Sequence, residues 1–329
     1  MKKILGIGNA LTDILLQIDD DLLLKQLNLP KGSMQLVDER KQSEISDFLK
    51  HKNIKMAIGG SASNTINGIT RLGGKGGFIG KVGKDEIAKF YINDSLLNGV
   101  QSHLFESETP SGRCLVLVSV DGERTMCTFL GAAAEFEANE LTSDLFAGYD
   151  IFHIEGYLVQ NHDLIRHSMK MAKKAGLQVS IDLASYNVVE DNLSFLKEIV
   201  SDYVDIIFAN EEEALAFTKK EPLEALNEFA KQTSIAVVKI GKGGSHVKSG
   251  NDVYHIEARN SNCIDTTGAG DLYAAGFLHG LACDYSLDVC GKMGSLVAGN
   301  VVEVVGTKMD EHIWKTINCE IDKIKMVFI

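Results

Sequence analysis

The sequence predicts an α/β fold: a mostly parallel, doubly wound sheet flanked by helices, with a small second sheet laid beside it. Three observations carry this expectation. From Tyr149 onward, short apolar runs alternate with amphipathic stretches in the rhythm of βαβ units. Four further strand-like runs come from two separate regions outside that rhythm. One glycine-bracketed bend, Asp265-Thr266-Thr267-Gly268-Ala269-Gly270-Asp271, opens a run of small and apolar residues that suits a deeply packed helix.

Composition narrows the field. A chain of 329 residues suits one large α/β domain, 1–329, carrying a small appendage. Hydrophobic residues at 45% and charged residues at 24% are ordinary globular values. The formal charge of −12 opposes nucleic acid and anionic membrane surfaces, both of which need a basic footprint. The N-terminus reaches Gly6 too soon for a secretion leader, and no apolar run has the ~18 residues a membrane span needs, so a cytoplasmic location is expected. Six cysteines with no C-x-x-C spacing read as reduced thiols rather than a disulfide frame or zinc site.

In chain order, Lys3 to Gly8 is a short apolar strand, with Asn9 and Asp13 following its end. Ligands of open parallel sheets collect beyond the carboxyl ends of strands, and both side chains suit hydroxyl groups, although they also suit a plain turn. A dinucleotide fingerprint fails here because Leu11 stands at the third glycine position. Ile14 to Ile18 and Ser33 to Val37 read as strands outside the main rhythm.

Ile54 to Ile58 runs into Gly59-Gly60-Ser61-Ala62-Ser63-Asn64 and then a helix, Thr65 to Leu72. The paired glycines allow close backbone approach to a ligand, and Asn64 can both donate and accept, although a capped turn uses the same residues. The glycines around the strand Gly77 to Gly83 form no phosphate-binding P-loop, since Val82 replaces the required hydroxyl residue. Arg113 to Val120 and Glu123 to Leu130, joined at Asp121-Gly122, form a hairpin.

The second half supplies strands at Tyr149 to Ile154, Leu177 to Asp182, Asp205 to Ala209 and Ile235 to Ile240. Helices are expected at Asp163 to Ala175, Asn192 to Val200, Glu211 to Thr218 and Leu223 to Gln232. Tyr157, just past the first of these strands, either stacks on a flat ligand or finishes the core. Asn210 and Glu213, three apart at a helix start, face the same way, although capping alone explains Asn210. Lys239 and the glycines Gly241, Gly243 and Gly244 close the next strand and turn into a hairpin, Ser245 to Lys248 and Val253 to Ile256. A helix from Asp288 to Val305 carries small residues, and an amphipathic helix from Asp310 to Ile329 docks its apolar end on the core.

The chemistry concentrates at the glycine bend. A helix starting near Gly268 aims several N–H groups and the positive end of its dipole at one spot, which suits an anion. Asp271 lies in its first turn. A phosphoryl group on those amides and a hydroxyl beside Asp271 are the two reactants of a kinase, with the carboxylate taking the hydroxyl proton. The plainer alternative is a first-turn acid that only complements the dipole.

That seven-residue string, with an acid at each end, resembles the signature of the ribokinase (PfkB) family of sugar and nucleoside kinases. Gly8 to Asp13, Gly59 to Asn64 with Arg71-Leu72-Gly73-Gly74, and Gly77 to Gly83 followed by Asp85 resemble its N-terminal segments, so the likeness runs from Gly8 to about Gly306. The resemblance implies a ribokinase-like fold in which strands inserted at about 14–37 and 111–131 form a lid over the acceptor. It implies ATP and Mg²⁺, with Asn210 and Glu213 as the phosphate and magnesium element, the glutamate acting through metal-bound water. Lys239, Gly241, Gly243 and Gly244 would lie along the nucleotide, with Asn300 a candidate adenine or ribose contact.

On the acceptor side the resemblance implies Asn9, Asp13, Gly59, Gly60, Ser61 and Asn64, with Arg113 and Phe129 facing it from the lid and Tyr157 against a base. The amides of Gly268, Ala269 and Gly270 would neutralise the transferred phosphoryl group, and Asp271 would be the base. Asp265 and the Thr267 carbonyl would hold a monovalent cation, K⁺, as in some relatives. Gly8-Asn9-Ala10, the segment Asp121 to Met126 and Glu155-Gly156-Tyr157-Leu158 look most like the bacterial adenosine-kinase-like branch, although the signature residues bind hydroxyls common to ribose, fructose and ribosides. The implied partners are a small sugar or nucleoside and ATP, in a monomer or a lid-mediated homodimer. A catalytically silent sugar or nucleotide sensor stays open, as does, against the missing fingerprint, a nicotinamide dehydrogenase.

Overall fold

Adjacent residues of a strand face opposite ways, and in the main sheet of this computed structural model both faces are apolar. Ile4 and Leu5, Ile206 and Ile207, and Val237 and Val238 are all buried, one of each pair under each of two helical layers. The structure describes residues 1–49, 52–120 and 123–328, with the side chains of 34 and 326–328 outside that description.

The first half of the chain runs β1 (Lys3–Ile7), β2 (Leu11–Gln17), α1 (Leu22–Gln26), β3 (Met34–Leu36), α2 (Glu39–Leu49), β4 (Lys55–Gly59), α3 (Ser61–Arg71), β5 (Lys75–Gly83), α4 (Glu86–Leu97), β6 (Gln101–Ser107), β7 (Gly112–Val118) and β8 (Arg124–Phe129). The second half runs β9 (Ile151–Glu155), α5 (His162–Lys174), β10 (Gln178–Asp182), α6 (Tyr186–Asp191), α7 (Leu193–Tyr203), β11 (Ile206–Asn210), α8 (Glu211–Thr218), α9 (Pro222–Phe229), β12 (Ile235–Lys239), β13 (Ser245–Ser249), β14 (Asp252–Ile256), α10 (Ala269–Ala282), α11 (Leu287–Val301) and α12 (Glu311–Phe328).

Among the described residues, nine strands form the main sheet in the order β14-β13-β12-β11-β10-β9-β1-β5-β6. Among the described residues, the β12–β13 and β13–β14 pairings are antiparallel and the other pairings in that sheet parallel. Helices α3, α10, α11 and α12 cover one face, and α5, α7, α8 and α9 the other. Small residues let α10 lie hard against α3: a Cβ added at Gly68 would meet the Cβ of Ala275 at 2.7 Å. Among the described residues, no helix is long and apolar enough to cross a membrane.

Among the described residues the second sheet has five strands, β3-β8-β7-β2-β4, where four were expected. The addition is β4, antiparallel to β2 with Ala57 opposite Asp13 and Gly59 opposite Leu11. Its apolar run marks it as a strand, but nothing local in the sequence says which sheet it joins. The outer face of this sheet is covered by the chain itself: Ile14, Leu16, Leu115 and Leu117 pack with Leu24 and Leu27 around α1 and with Ile45 of α2.

Two helix boundaries differ from expectation by four residues. The helix expected from Thr65 begins at Ser61, because Gly60 takes a φ of +90° and completes the turn by itself. The helix expected to reach Val305 ends at Val301. The turn expected at Asp121-Gly122 lies outside the described residues, as does the side-chain docking of the tail beyond Lys325. Upstream, Trp314, Ile317 and Ile321 of α12 do bury against the core.

Candidate active site

A cleft of about 2250 Å³ lies between the carboxyl ends of the main-sheet strands and the inner face of the small sheet. The main-sheet topology brings five polar residues to its floor: Asn9 just after β1, Glu155 ending β9, Asp182 ending β10, Asn210 ending β11 and Lys239 ending β12. Parallel strands in one sheet end on one side, so residues far apart in sequence converge there.

The glycine bend enters this cleft from the α10 side. Gly268 sits at the helix start with φ +71°, and a Cβ there would lie 2.4 Å from Cγ2 of Thr307, so the position needs glycine on both counts. Helix starts leave their first N–H groups without helical carbonyls. Ala269 turns its N–H to the Thr266 carbonyl at 3.2 Å, while Gly268, Gly270 and Asp271 line the cleft. Lys239 lies beneath the turn, its Nζ 3.1 Å from where a Cβ on Gly270 would stand.

Asp271 is fixed by α3. Its Oδ1 accepts from the Ser61 hydroxyl at 2.7 Å and its Oδ2 from the Asn64 amide at 2.9 Å. Burial pushes its carboxyl up to about 6, against the pull of those two donors. Ser61 and Asn64, expected on the acceptor, therefore spend a donor each on the expected base.

Three more carboxyls lining the cleft are raised by burial. Asp13 is pushed up to about 7 by burial and by Asp271, with Arg124 opposing. Glu155 accepts from the Asn9 N–H at 2.9 Å, the Asn9 side-chain amide at 2.5 Å and the Ala62 N–H at 3.1 Å, tying the end of β1 to the start of α3. Burial still raises it to about 7. Glu213 and Asn210 form a reciprocal cap at the start of α8, where Glu213 accepts from the Asn210 N–H at 2.8 Å and Asn210 accepts from the Glu213 N–H at 2.8 Å. Burial and nearby Asp182 raise Glu213 to about 7. Lys239 is the counterweight, its Nζ 2.7 Å from Asp182; burial works against its charge, but Asp182 and Glu213 hold it protonated.

The roof of the cleft is the inner face of the small sheet. Leu15, Leu36, Val116 and Met126 line it, with Asp13 and Arg124 the charged groups among them. Alternation along β7 and β8 corrects two expectations. Cys114 and Thr128 face the cleft, so Arg113 and Phe129, which stand opposite one another in the hairpin register, face away. Arg113 turns to Asp85 at 3.7 Å.

Four other expected site residues also stand off the lining. Gly59 lies behind Asp13, where a Cβ would come within 2.4 Å of that carboxylate. Gly243 is passed over while Gly241 and Gly244 line the cleft. Asn300 is buried and donates to the Leu296 carbonyl at 2.8 Å, one turn back on its own helix. Asp265, expected on a monovalent cation, has both oxygens engaged by protein groups: Oδ1 by the Thr267 N–H at 2.7 Å and by Arg124 Nη2 at 2.5 Å, Oδ2 by the Gly306 N–H at 2.7 Å. Tyr157 and Thr267 do line the cleft, with Asn9, Asp13, Gly60, Ser61 and Asn64.

Glu155, Asp182 and Arg124 were not singled out from the sequence. The first two carry a readable signal, since each is an acid closing an otherwise apolar parallel strand. Arg124 was readable only after the parity of β8 was known.

A family model described as pfkB family carbohydrate kinase matches residues 33–313. Adenosine kinase of Saccharomyces cerevisiae is 28% identical over 328 residues, covering 91% of this chain and 94% of that protein. Probable fructokinase-5 of Arabidopsis thaliana is 30% identical over 271 residues, covering 78% of this chain and 82% of that one. Among solved structures, adenosine kinase from Sinorhizobium meliloti superposes with a TM-score of 0.85 at 32% identity, covering 97% of this chain and 99% of its own. A probable sugar kinase from Rhizobium etli CFN 42 gives 0.86 at 30%, covering 97% and 98%.

Proposed function

This chain belongs to the pfkB family of carbohydrate kinases, phosphotransferases that use ATP and an alcohol acceptor, and we propose that its acceptor is the primary hydroxyl of a nucleoside. The observation that carries this choice is the apolar roof, Leu15, Leu36, Val116 and Met126, set above the polar floor. A bare sugar presents hydroxyls on all sides and would leave them unpaired against such a surface, whereas a riboside offers a flat apolar base on one side only. Tyr157 at the cleft margin suits stacking on that base.

In this reading Asp13 takes ribose hydroxyls, Glu155 holds Asn9 in place, and Asp271 receives the proton of the primary hydroxyl. That oxygen bonds to the γ-phosphorus of ATP as the bond to the β-bridging oxygen breaks, and ADP leaves. The turn at Gly268, Ala269 and Gly270, with Lys239 beneath it, offsets the charge building on the phosphoryl oxygens. ATP lies along the ends of β10 to β12, past Asn210, Gly241 and Gly244. The buried acids Asp182 and Glu213 fit a hard divalent ion held through water, since Asp182 raises the cost of ionising Glu213. Bound Mg²⁺ would supply charge neutralisation on the phosphates. The small sheet acts as a lid over the acceptor, within a single unit spanning 1–329. The cover that α1 and α2 give to the outer face of the small sheet supports a single copy.

The test is ADP release from ATP with nucleosides, pentoses and hexoses, run on the wild type, Asp271→Asn and Met126→Asp. Nucleosides should give the highest kcat/KM. Asp271→Asn should lose about 10²–10⁴-fold in kcat while still binding ATP. Met126→Asp should raise the nucleoside KM by about tenfold or more with kcat nearly kept. A pentose or hexose that outruns every nucleoside rejects the acceptor, and an unimpaired Asp271→Asn rejects the base.

A further inference from the structure

The bend that leads into α10 holds a carboxylate with almost no access to water. Asp265 is 2% exposed in its side chain, and its oxygens meet two backbone N–H groups, of Thr267 and Gly306. Neutral donors alone leave the charge of a buried carboxylate uncompensated, so a cation belongs beside it. The cation present is covalent: Nη2 of Arg124, on β8, lies 2.5 Å from Oδ1, with the arginine side chain 17% exposed. Arg124 also stands near enough to Asp13 to oppose its protonation. One guanidinium thus serves two acids, one on the acceptor side of the cleft and one at the root of the phosphate-binding turn.

We propose that Arg124 takes the place of a monovalent cation at Asp265, ordering the Thr267–Gly270 turn so that turnover needs neither K⁺ nor Na⁺. This rests on the kinase reading given above. A guanidinium stays charged at every working pH and cannot dissociate as an ion can. A second cation on the same carboxylate would be repelled by it at close range in a poorly solvated site. Arg124 acts through Asp265 and the turn and is therefore a positioning residue.

The full chain is assayed for ADP release in the chlorides of K⁺, Na⁺ and N-methylglucamine at equal ionic strength. Wild-type rates should agree within about twofold across the three salts. Arg124→Met, which keeps the bulk and removes the charge, should be slowest in N-methylglucamine and recover about tenfold or more in K⁺ or Na⁺. Arg124→Lys should keep the salt independence. Thermal unfolding in the same salts gives a readout free of turnover: the wild-type midpoint should be the same in all three, and that of Arg124→Met should rise with K⁺ or Na⁺. A wild type that loses most of its rate or its midpoint without K⁺ overturns the inference, as does a folded Arg124→Met that no cation rescues. If Arg124→Met fails to fold, a K⁺ requirement in Arg124→Lys overturns it instead. A wild type silent with every acceptor in every salt sinks the kinase reading, while the unfolding midpoints still decide the role of Arg124.

Discussion

Asn64 donates its side-chain amide to Oδ2 of Asp271 at 2.9 Å across 207 residues of sequence. The group proposed as base is thereby held by the opposite wall of the cleft. Ser61, one turn earlier on α3, binds the other oxygen at 2.7 Å, so the carboxylate can neither rotate nor drift without disturbing α3. Base position and acceptor wall are mechanically one unit.

The first expectation concerns pH. Burial raises Asp271 from 3.8 to about 6, and it must be ionised to accept a proton. The rate should therefore fall as pH drops through about 6, with the acid limb well above the range of an exposed aspartate. Asp13, raised to about 7, interacts with Asp271, so the limb reports the pair. A pH profile of kcat/KM for the wild type and Asp13→Asn checks this; a wild-type limb near 4 would refute it.

Lys239 and Asp182 form a largely buried pair, with side chains 14% and 9% exposed. Lys239→Met leaves Asp182 and Glu213 facing each other without a counter-charge. The expected loss is about 3–5 kcal/mol of stability, read by urea unfolding, and binding of ATP should weaken as well. A variant as stable as the wild type would show that water reaches this site more freely than the burial indicates.

Gly268→Ala tests the bend directly. The left-handed backbone costs any other residue on the order of 1–3 kcal/mol, and the contact with Thr307 adds to it. Activity should fall more than stability does, because the displaced turn carries the amides proposed to hold the phosphoryl group. Pairing with Thr307→Ala should recover part of the loss in a double-mutant cycle.

Glu155→Gln keeps the acceptor for Asn9 but turns an amide NH₂ toward the Ala62 N–H. The start of α3 should shift, and kcat/KM should fall with no change in the groups touching the acceptor. Stability separates the two forms by pH. The folded carboxyl is raised from 4.5 to about 7, so its contribution is fullest below 4.5 and is lost as pH rises toward 7. The difference in unfolding midpoint between wild type and Glu155→Gln should thus move in favour of the variant between pH 5 and 8.

Much of this site can be read from the chain, and the misreadings share a cause. Asp271, Gly268, Asn210 and Glu213 sit where their local motif says, because a helix start is fixed by a few consecutive residues. Glu155 and Asp182 could have been read from the rule that parallel strands end in ligands. Arg113 and Phe129 were misread by one residue of parity. Asn300 was misread because a small-residue helix does not declare which of its faces meets the cleft.

The sequence alone determined the alternation of strands and helices, the glycine-forced turn before α10 and the acid in that helix's first turn, because each depends on neighbours within a few residues. Tertiary structure decided the rest: that β4 joins the small sheet, that Met126 and not Phe129 looks into the cleft, and that Arg124 reaches Asp265. A strand's alternation defines two faces but does not say which is covered. That choice fell to α1 and α2, which packed on one face and left the other to the cleft.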